Sequence, residues 1–390
     1  MVVRMVLAGV GLATVALVLG ITGMPASAQP GPGTVDHWGS YTGRLGTARL
    51  PASISLPGLV AEAGTSNSTQ YALLTDGSLY AWGEGTHGQL GNGKKANSFN
   101  TAVQVQFPPG VRIAWIPTDT MPFDSALAVD THGNAWGWGY NDSGELCLGN
   151  NHAHSTPVEL PFSNVTALAG GGSHAVYDAN GTLYSCGSGQ AGELGDGSTR
   201  SSNVPARVQG LNGQFVTTLV AAYANGGALL SNGQYFDWGN DSKGQLGIGT
   251  IRQNSAVPVR VSLPGSVTQV AQGGSLQGNG QTLVMLSDGT LWAWGDNQYH
   301  QLGNGRTGVA SFPVSFSAPA GVTFRMLATA ANTSYAVSAT GQVYAWGQNN
   351  EGQIGDGSGR TAVHPIPVDS GATSISATAN DVAAAFVFER

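Results

Sequence analysis

In the stretch QYALLTDGSLYAWG (70–83), apolar and polar positions alternate, an Asp-Gly pair interrupts them, and the alternation resumes. A period of two on both sides of a glycine-second turn predicts a β-hairpin. The same pattern returns with turns at Asp76-Gly77, His132-Gly133, Asn180-Gly181, Asn232-Gly233, Asp288-Gly289 and Thr340-Gly341. Tight hairpins of this kind favour positive φ at both central residues, which is the expectation for all six. Each hairpin runs into a Trp-Gly pair, at Trp82, Trp138, Trp238, Trp294 and Trp346. Trp38 opens the series and Cys186-Gly187 holds the place in one unit. A Gly-x-Leu-Gly element follows every time: GRLG from Gly43, GQLG from Gly88, GELC from Gly144, GELG from Gly192, GQLG from Gly244, HQLG from His300 and GQIG from Gly352. Successive units are 44 to 56 residues apart, and none shows a helical period. The chain is therefore expected to be all-β, with four strands per repeat stacked as propeller blades. One hairpin is missing from the count. The alternating segment VAAAFVFER (382–390) has no partner after it, and VDHWG (35–39) has none before it. Pairing them predicts a seven-bladed β-propeller with one blade closed by strands from both termini, which leaves no open edge at the ends.

This frame also disposes of a competing motif. Gly83-x-Gly85-x-x-Gly88, and again GSGQAG (187–192), match a dinucleotide-binding glycine fingerprint. A phosphate cradle requires a helix directly after the glycines, and here the next blade follows. The place of Gly85 is held elsewhere by Asn141, Asp241, Asn297 and Asn349. Gly, Asn and Asp all tolerate a left-handed backbone, so the element reads as a turn.

The combined motif, Ala-Leu-x-x-Asp-Gly-x-Leu-Tyr-Ala leading into Trp-Gly-x-Asn-x-x-Gly-Gln-Leu-Gly, resembles the repeat of the regulator of chromosome condensation (RCC1-like) family. The resemblance covers residues 34–390. Departures are Cys147 and His300 in place of glycines, Cys186 in place of tryptophan, and a first turn, SYT, one residue short. The resemblance implies a seven-bladed ring. The family's eukaryotic founder promotes nucleotide exchange on a nuclear GTPase and docks on chromatin, partners that an exported acidic protein would not meet. Secreted bacterial relatives bind and inhibit β-lactamases through the loops that precede the Ala-Leu strand. Carried over by position, those loops place candidate binding residues at Ser66, Asn67, Met121, Phe123, Ser173, His174, Tyr223, Asn225, Leu276, Gln277, Asn332, Thr333, Asn380 and Asp381. Binding hot spots favour large aromatic and arginine side chains. Only Phe123 and Tyr223 meet that description, which argues against a tight inhibitor.

Composition sets the setting. Arg4, the apolar run MVLAGVGLATVALVLGITGM and the small residues PASAQ have the layout of a secretory signal peptide over residues 1–28, cleaved after Ala28. An uncleaved anchor is the alternative. The propeller would then occupy residues 29–390, and no later apolar run is long enough to span a bilayer. A secreted location, extracellular or at the cell envelope, follows as the expectation, with no membrane insertion after cleavage. The net charge of −7 and the charged fraction of 9% give no electrostatic footprint for nucleic acid.

Catalytic and metal chemistry are sought without success. Among the 8 histidines, His152 and His154 could share a strand face, but lack third and fourth ligands. Ser173 and His174 are adjacent and would point to opposite faces of a strand. Asp76, Asp288, Asp196 and Asp356 read as turn residues. Neither cofactor nor metal is expected. Cys147 and Cys186 replace repeat residues in neighbouring units, and either a disulfide between blades or two buried thiols fits. Two insertions, FPPGVRIAWIP (107–117) and GGSLQGNGQ (273–281), could carry specificity. In the first, Trp115 is either an exposed anchor or a packed blade residue. The reading is a monomeric, non-enzymatic scaffold that binds another protein, or a glycan, through one mouth of the ring. The alternatives are an enzyme acting on glycan or peptide at the axis, which would need His174, Asp124 and Asp381 to converge, and a β-lactamase-inhibitor-like protein.

Overall fold

The computed structural model describes residues 34–40, 47–118, 121–275, 278–377 and 383–387. All of the described secondary structure is β. It forms a propeller. Six blades are antiparallel sheets of four consecutive strands, covering 60–104, 113–159, 165–207, 216–260, 267–316 and 324–369. A further four-stranded sheet is a composite. Its order runs from Thr47–Ser55 through Thr34–Ser40 and Ala383–Val387 to Ser374–Ala377, so strands from both ends of the chain lie side by side. Blades of continuous chain thus number six, where seven blades, one of them shared by both termini, were expected; the remaining sheet is the composite one. The described chain contains no helix after the glycine fingerprints, so no phosphate cradle forms at either.

Within each blade the second strand is the most deeply covered. Thr69–Leu74, Ser125–Asp130, His174–Ala179, Asn225–Leu230 and Thr333–Ser338 are buried at every position, because neighbouring blades cover both faces. The outermost strand is the exposed one, and in five of these six blades it manages its free edge with proline. Pro157, Pro205, Pro258, Pro313 and Pro365 each remove a backbone donor there.

The hairpin turns differ from expectation. Only Asn180-Gly181 has positive φ at both residues, 54° and 71°. In the others the glycine alone is left-handed. At Asp76-Gly77 the Gly77 amide donates to Leu74 O (2.9 Å) and the Leu74 amide to Ser78 O (2.8 Å). That is a longer loop built on a type I turn with a bulged glycine. Asp76 Oδ1 accepts from the Ser78 amide and hydroxyl, so the aspartate holds the turn through its side chain.

The Gly85 position is corrected as well. None of Asn141, Asp241, Asn297 and Asn349 is left-handed. Each uses its side-chain oxygen to accept the backbone N–H five residues on, at Leu146 (2.9 Å), Leu246 (3.2 Å), Leu302 (3.0 Å) and Ile354 (2.9 Å). The left-handed positions are those flanking it, the Trp-Gly glycine and both ends of Gly-x-Leu-Gly.

One contact, repeated, joins blade to blade. The indole N–H of Trp138 donates to Gln89 O in the preceding blade (2.9 Å). Trp238 does so to Glu193 O (2.8 Å), Trp294 to Gln245 O (2.7 Å) and Trp346 to Gln301 O (2.9 Å). The last glycine of Gly-x-Leu-Gly lies flat against that indole: a Cβ on Gly303 would come 2.8 Å from Trp346 Nε1. The same contact links the ends, since Trp38 in the composite sheet donates to Gln353 O at 3.0 Å across 315 residues of sequence.

The two cysteines replace both members of this pair. Cys147 stands where the glycine would be, left-handed at φ 58°, and Cys186 where the tryptophan would be. Their sulfurs are bonded, with Cα atoms 5.4 Å apart. Cys147 tolerates its Cβ because no indole lies against it. The carbonyl that would have accepted an indole N–H, Glu145 O, is taken instead by the Tyr177 hydroxyl at 3.2 Å.

Candidate functional site

In a four-stranded antiparallel blade, the loop between the first and second strands and the turn after the third emerge on the same side. That side is one mouth of the propeller and contains the expected binding loops.

Most of the described candidate residues there are covered instead of facing solvent. Ser66, Asn67, Met121, His174, Asn225 and Thr333 are buried. The first residue of the second strand ties its loop to the turn after Trp-Gly. Thr69 Oγ1 donates to Glu84 O (2.8 Å), Ser125 Oγ to Tyr140 O (2.6 Å), Asn225 Nδ2 to Asn240 O (2.8 Å) and Thr333 Oγ1 to Gln348 O (2.8 Å). The Gly-x-Leu-Gly glutamines add bonds between blades: Gln245 Nε2 donates to Gly278 O (2.8 Å) and Gln301 Nε2 to Asn332 Oδ1 (3.3 Å). Leu276, Gln277, Asn380 and Asp381 lie outside the described residues.

Phe123, Ser173, Tyr223 and Asn332 are half-exposed. Three of these adjoin. The Phe123 amide donates to Gly172 O at 2.6 Å. Gly172 is pressed against the Tyr223 ring, where an added Cβ would approach Cδ2 to 2.9 Å. Loops of the second, third and fourth blades therefore adjoin at Gly172, which the Phe123 backbone bonds on one side and the Tyr223 ring covers on the other.

Beside it lies a group that loop position alone did not identify. Asp124 is left-handed at φ 55° and its Oδ2 is 3.3 Å from His87 Nδ1. The His87 ring meets Tyr140 edge-on, with centroids 5.0 Å apart. His87 and Tyr140 come from the turns after Trp-Gly, which share this mouth by strand direction; that direction was the available signal.

Burial dominates the electrostatics. It lifts the Asp124 carboxyl to about 6, aided by the charge of Glu84 and opposed by His87. Glu145, with no exposed surface, is lifted to about 7 by burial. Burial also raises Asp237, which accepts from Gln272 Nε2 at 2.8 Å, and lowers His174. The partner of Asp124 is His87, not His174, so the convergence that an axial hydrolase would need is not formed by these two residues. Among the described residues no group of three His, Cys, Asp or Glu side chains could hold a metal ion. His152 is exposed and His154 half-buried at the start of an outer strand. Trp115 is half-buried on the first strand of its blade and lines a cavity in the channel.

Comparison with known proteins agrees with this architecture. A family model of the regulator of chromosome condensation (RCC1) repeat matches residues 76–117, 132–177, 180–225, 232–276, 288–337 and 340–384. A second model of that repeat matches 267–301. The ultraviolet-B receptor UVR8 of Arabidopsis thaliana is 29% identical over 317 residues, covering 80% of this chain and 69% of the receptor. The human E3 ubiquitin-protein ligase HERC2 is 28% identical over 290 residues, 72% of this chain. The chain spans 6% of that ligase's length. Two solved structures share the fold: human WBSCR16, with a TM-score of 0.78 at 19% identity over 91% of this chain and 99% of that one, and yeast RCC1 (Prp20) bound to Kap60, with 0.76 at 20% over 92% and 90%.

Proposed function

Because the chain belongs to the regulator of chromosome condensation repeat family, we propose that it is a non-enzymatic scaffold that binds another protein through the loop mouth. The observation that carries this is the junction of Phe123, Gly172 and Tyr223. Two half-exposed aromatics set in a polar surround suit a protein interface, where such rings supply contact area at low entropy cost. The rigid hydrogen-bonded footing of each loop favours preorganised binding. The composite sheet completes the wheel as its seventh blade, a reading supported by the Trp38–Gln353 contact.

The first 28 residues act as a cleaved secretory signal, and the partner is an extracellular or cell-envelope protein. Their order of basic residue, apolar run and small residues supports this. N-terminal sequencing of protein recovered from the culture medium should begin at Gln29; retention of all the protein in the cell, uncleaved, would contradict it.

The binding surface is tested by capture from culture supernatant and cell wall with wild-type protein and the Phe123→Ala, Tyr223→Ala double variant. A partner recovered by wild type and lost by the folded double variant is expected. Equal recovery by both places the interface elsewhere.

A further inference from the structure

The inner strands of the blades line the axial channel, and their register shows which side chains share one level of it. Glu62, Trp115, Ala167, Thr218, Gln269 and Met326 each stand two positions after the residue that opens the strand's core face, Val60, Ile113, Val165, Val216, Val267 and Phe324. Two hydrogen bonds fix the alignment. Glu62 Oε2 accepts the Ile116 amide of the next blade at 2.9 Å, and Gln269 Oε1 accepts the Leu327 amide in the same way at 3.0 Å. At this level one position is tryptophan and the next two are small. The result is a cavity of about 400 Å³. Its wall includes Glu62, Trp115, Thr118, Thr166 and Thr218. Its wall is drawn from the inner strands of four successive blades and from Ile116, Pro117 and Thr118, which follow the short inner strand of the second.

We infer that this cavity is a binding site for a single neutral sugar ring, free or as one unit of a glycan. The volume falls within the range of small-ligand pockets. The half-exposed indole of Trp115 offers a flat apolar face for a ring to stack on. Ile116 is the protein partner of Glu62 Oε2, and Oε1 has none among the described residues. That oxygen can accept from ring hydroxyls, and the hydroxyls of Thr118 and Thr218 can exchange hydrogen bonds with the rest. Among the described residues no basic side chain lines the cavity, which disfavours phosphorylated or carboxylated ligands. A single aromatic wall also falls short of the cage that a quaternary ammonium requires. The site does not depend on the loop mouth, and either can fail alone.

The test is titration of the full-length protein with the methyl glycosides of glucose, galactose, mannose and N-acetylglucosamine, and with tetramethylammonium as a cation control. Tryptophan fluorescence and calorimetry are read together. At least one glycoside should bind saturably in the millimolar range. Trp115→Ala should weaken that glycoside at least about tenfold, and Glu62→Gln several-fold. Thr218→Leu, which fills the cavity while leaving the indole in place, should abolish binding with an unchanged melting profile. No saturable glycoside up to about 100 mM, equal affinity in the folded Thr218→Leu variant, or tighter binding of tetramethylammonium than of any glycoside would each overturn the assignment.

Discussion

Replacing Glu145 by glutamine should stabilise the protein at alkaline pH and do little at acid pH. Glu145 has no exposed surface, and burial moves its carboxyl from 4.5 to about 7. The folded state therefore holds a proton that the unfolded chain releases between those values. Stability is full below about pH 4.5 and falls as pH rises through about 7. At about 1.4 kcal/mol per pH unit, the ionised carboxylate at pH 8 costs about 3 kcal/mol. Glutamine removes that cost and keeps the local bond. The Ser143 amide donates to Glu145 Oε2 at 3.2 Å, and in four sister repeats Gln89, Gln245, Gln301 and Gln353 accept the equivalent amide through Oε1 at 2.7 to 2.9 Å. Thermal melts of wild type and Glu145→Gln at pH 4.5 and pH 8 provide the assay. The curves should nearly coincide at the lower pH, and the variant should melt about 4 °C higher at pH 8. An equal shift at both values, or none at pH 8, would refute the assignment of a buried, proton-holding carboxyl.

Other consequences follow from the blade-to-blade contact. Changing both Cys147 and Cys186 to serine opens a loop of 39 residues and should cost about 4 kcal/mol in urea unfolding; an unchanged midpoint would deny the bond a role. Cys147→Gly with Cys186→Trp rebuilds the sister contact, so the double variant should be more stable than Cys186→Trp alone, where the indole meets Cys147 Cβ. Gly303→Ala should cost about 2–4 kcal/mol, since its φ is +67° and the new methyl would lie 2.8 Å from Trp346 Nε1. Gly321→Ala is the control: φ is +77° with open space around it, so about 1–2 kcal/mol is expected.

The repeat was legible because blade stacking imposes a period on the sequence: buried hairpins, glycines at left-handed positions, and a tryptophan whose partner lies one repeat back. The replacement of a Gly and a Trp by Cys147 and Cys186 could be read from repeat phase alone, though which chemical state they adopt could not. The site was less legible. Asn225 and Thr333 open the second strands at the edge of their loops, and sequence does not separate a polar residue that bonds a neighbouring carbonyl from one offered to solvent. The turn residues His87 and Tyr140 escaped notice because they reach the mouth from a different part of the repeat. Hairpin type was misjudged for a related reason: Asp76 and Asp288 stabilise their turns through side-chain acceptors, which permits a longer loop with one left-handed residue.

Closure of the wheel by both chain ends is the claim on which the mouth and the channel depend, and Trp38→Ala tests it by hydrogen exchange. Trp38 is fully buried and touches Gln353 across 315 residues. Truncation should accelerate exchange of backbone amides in 349–357 at least about tenfold and leave the equivalent turn at 241–249 unaffected. Unchanged exchange at 349–357 in the folded variant would mean that the ends do not meet.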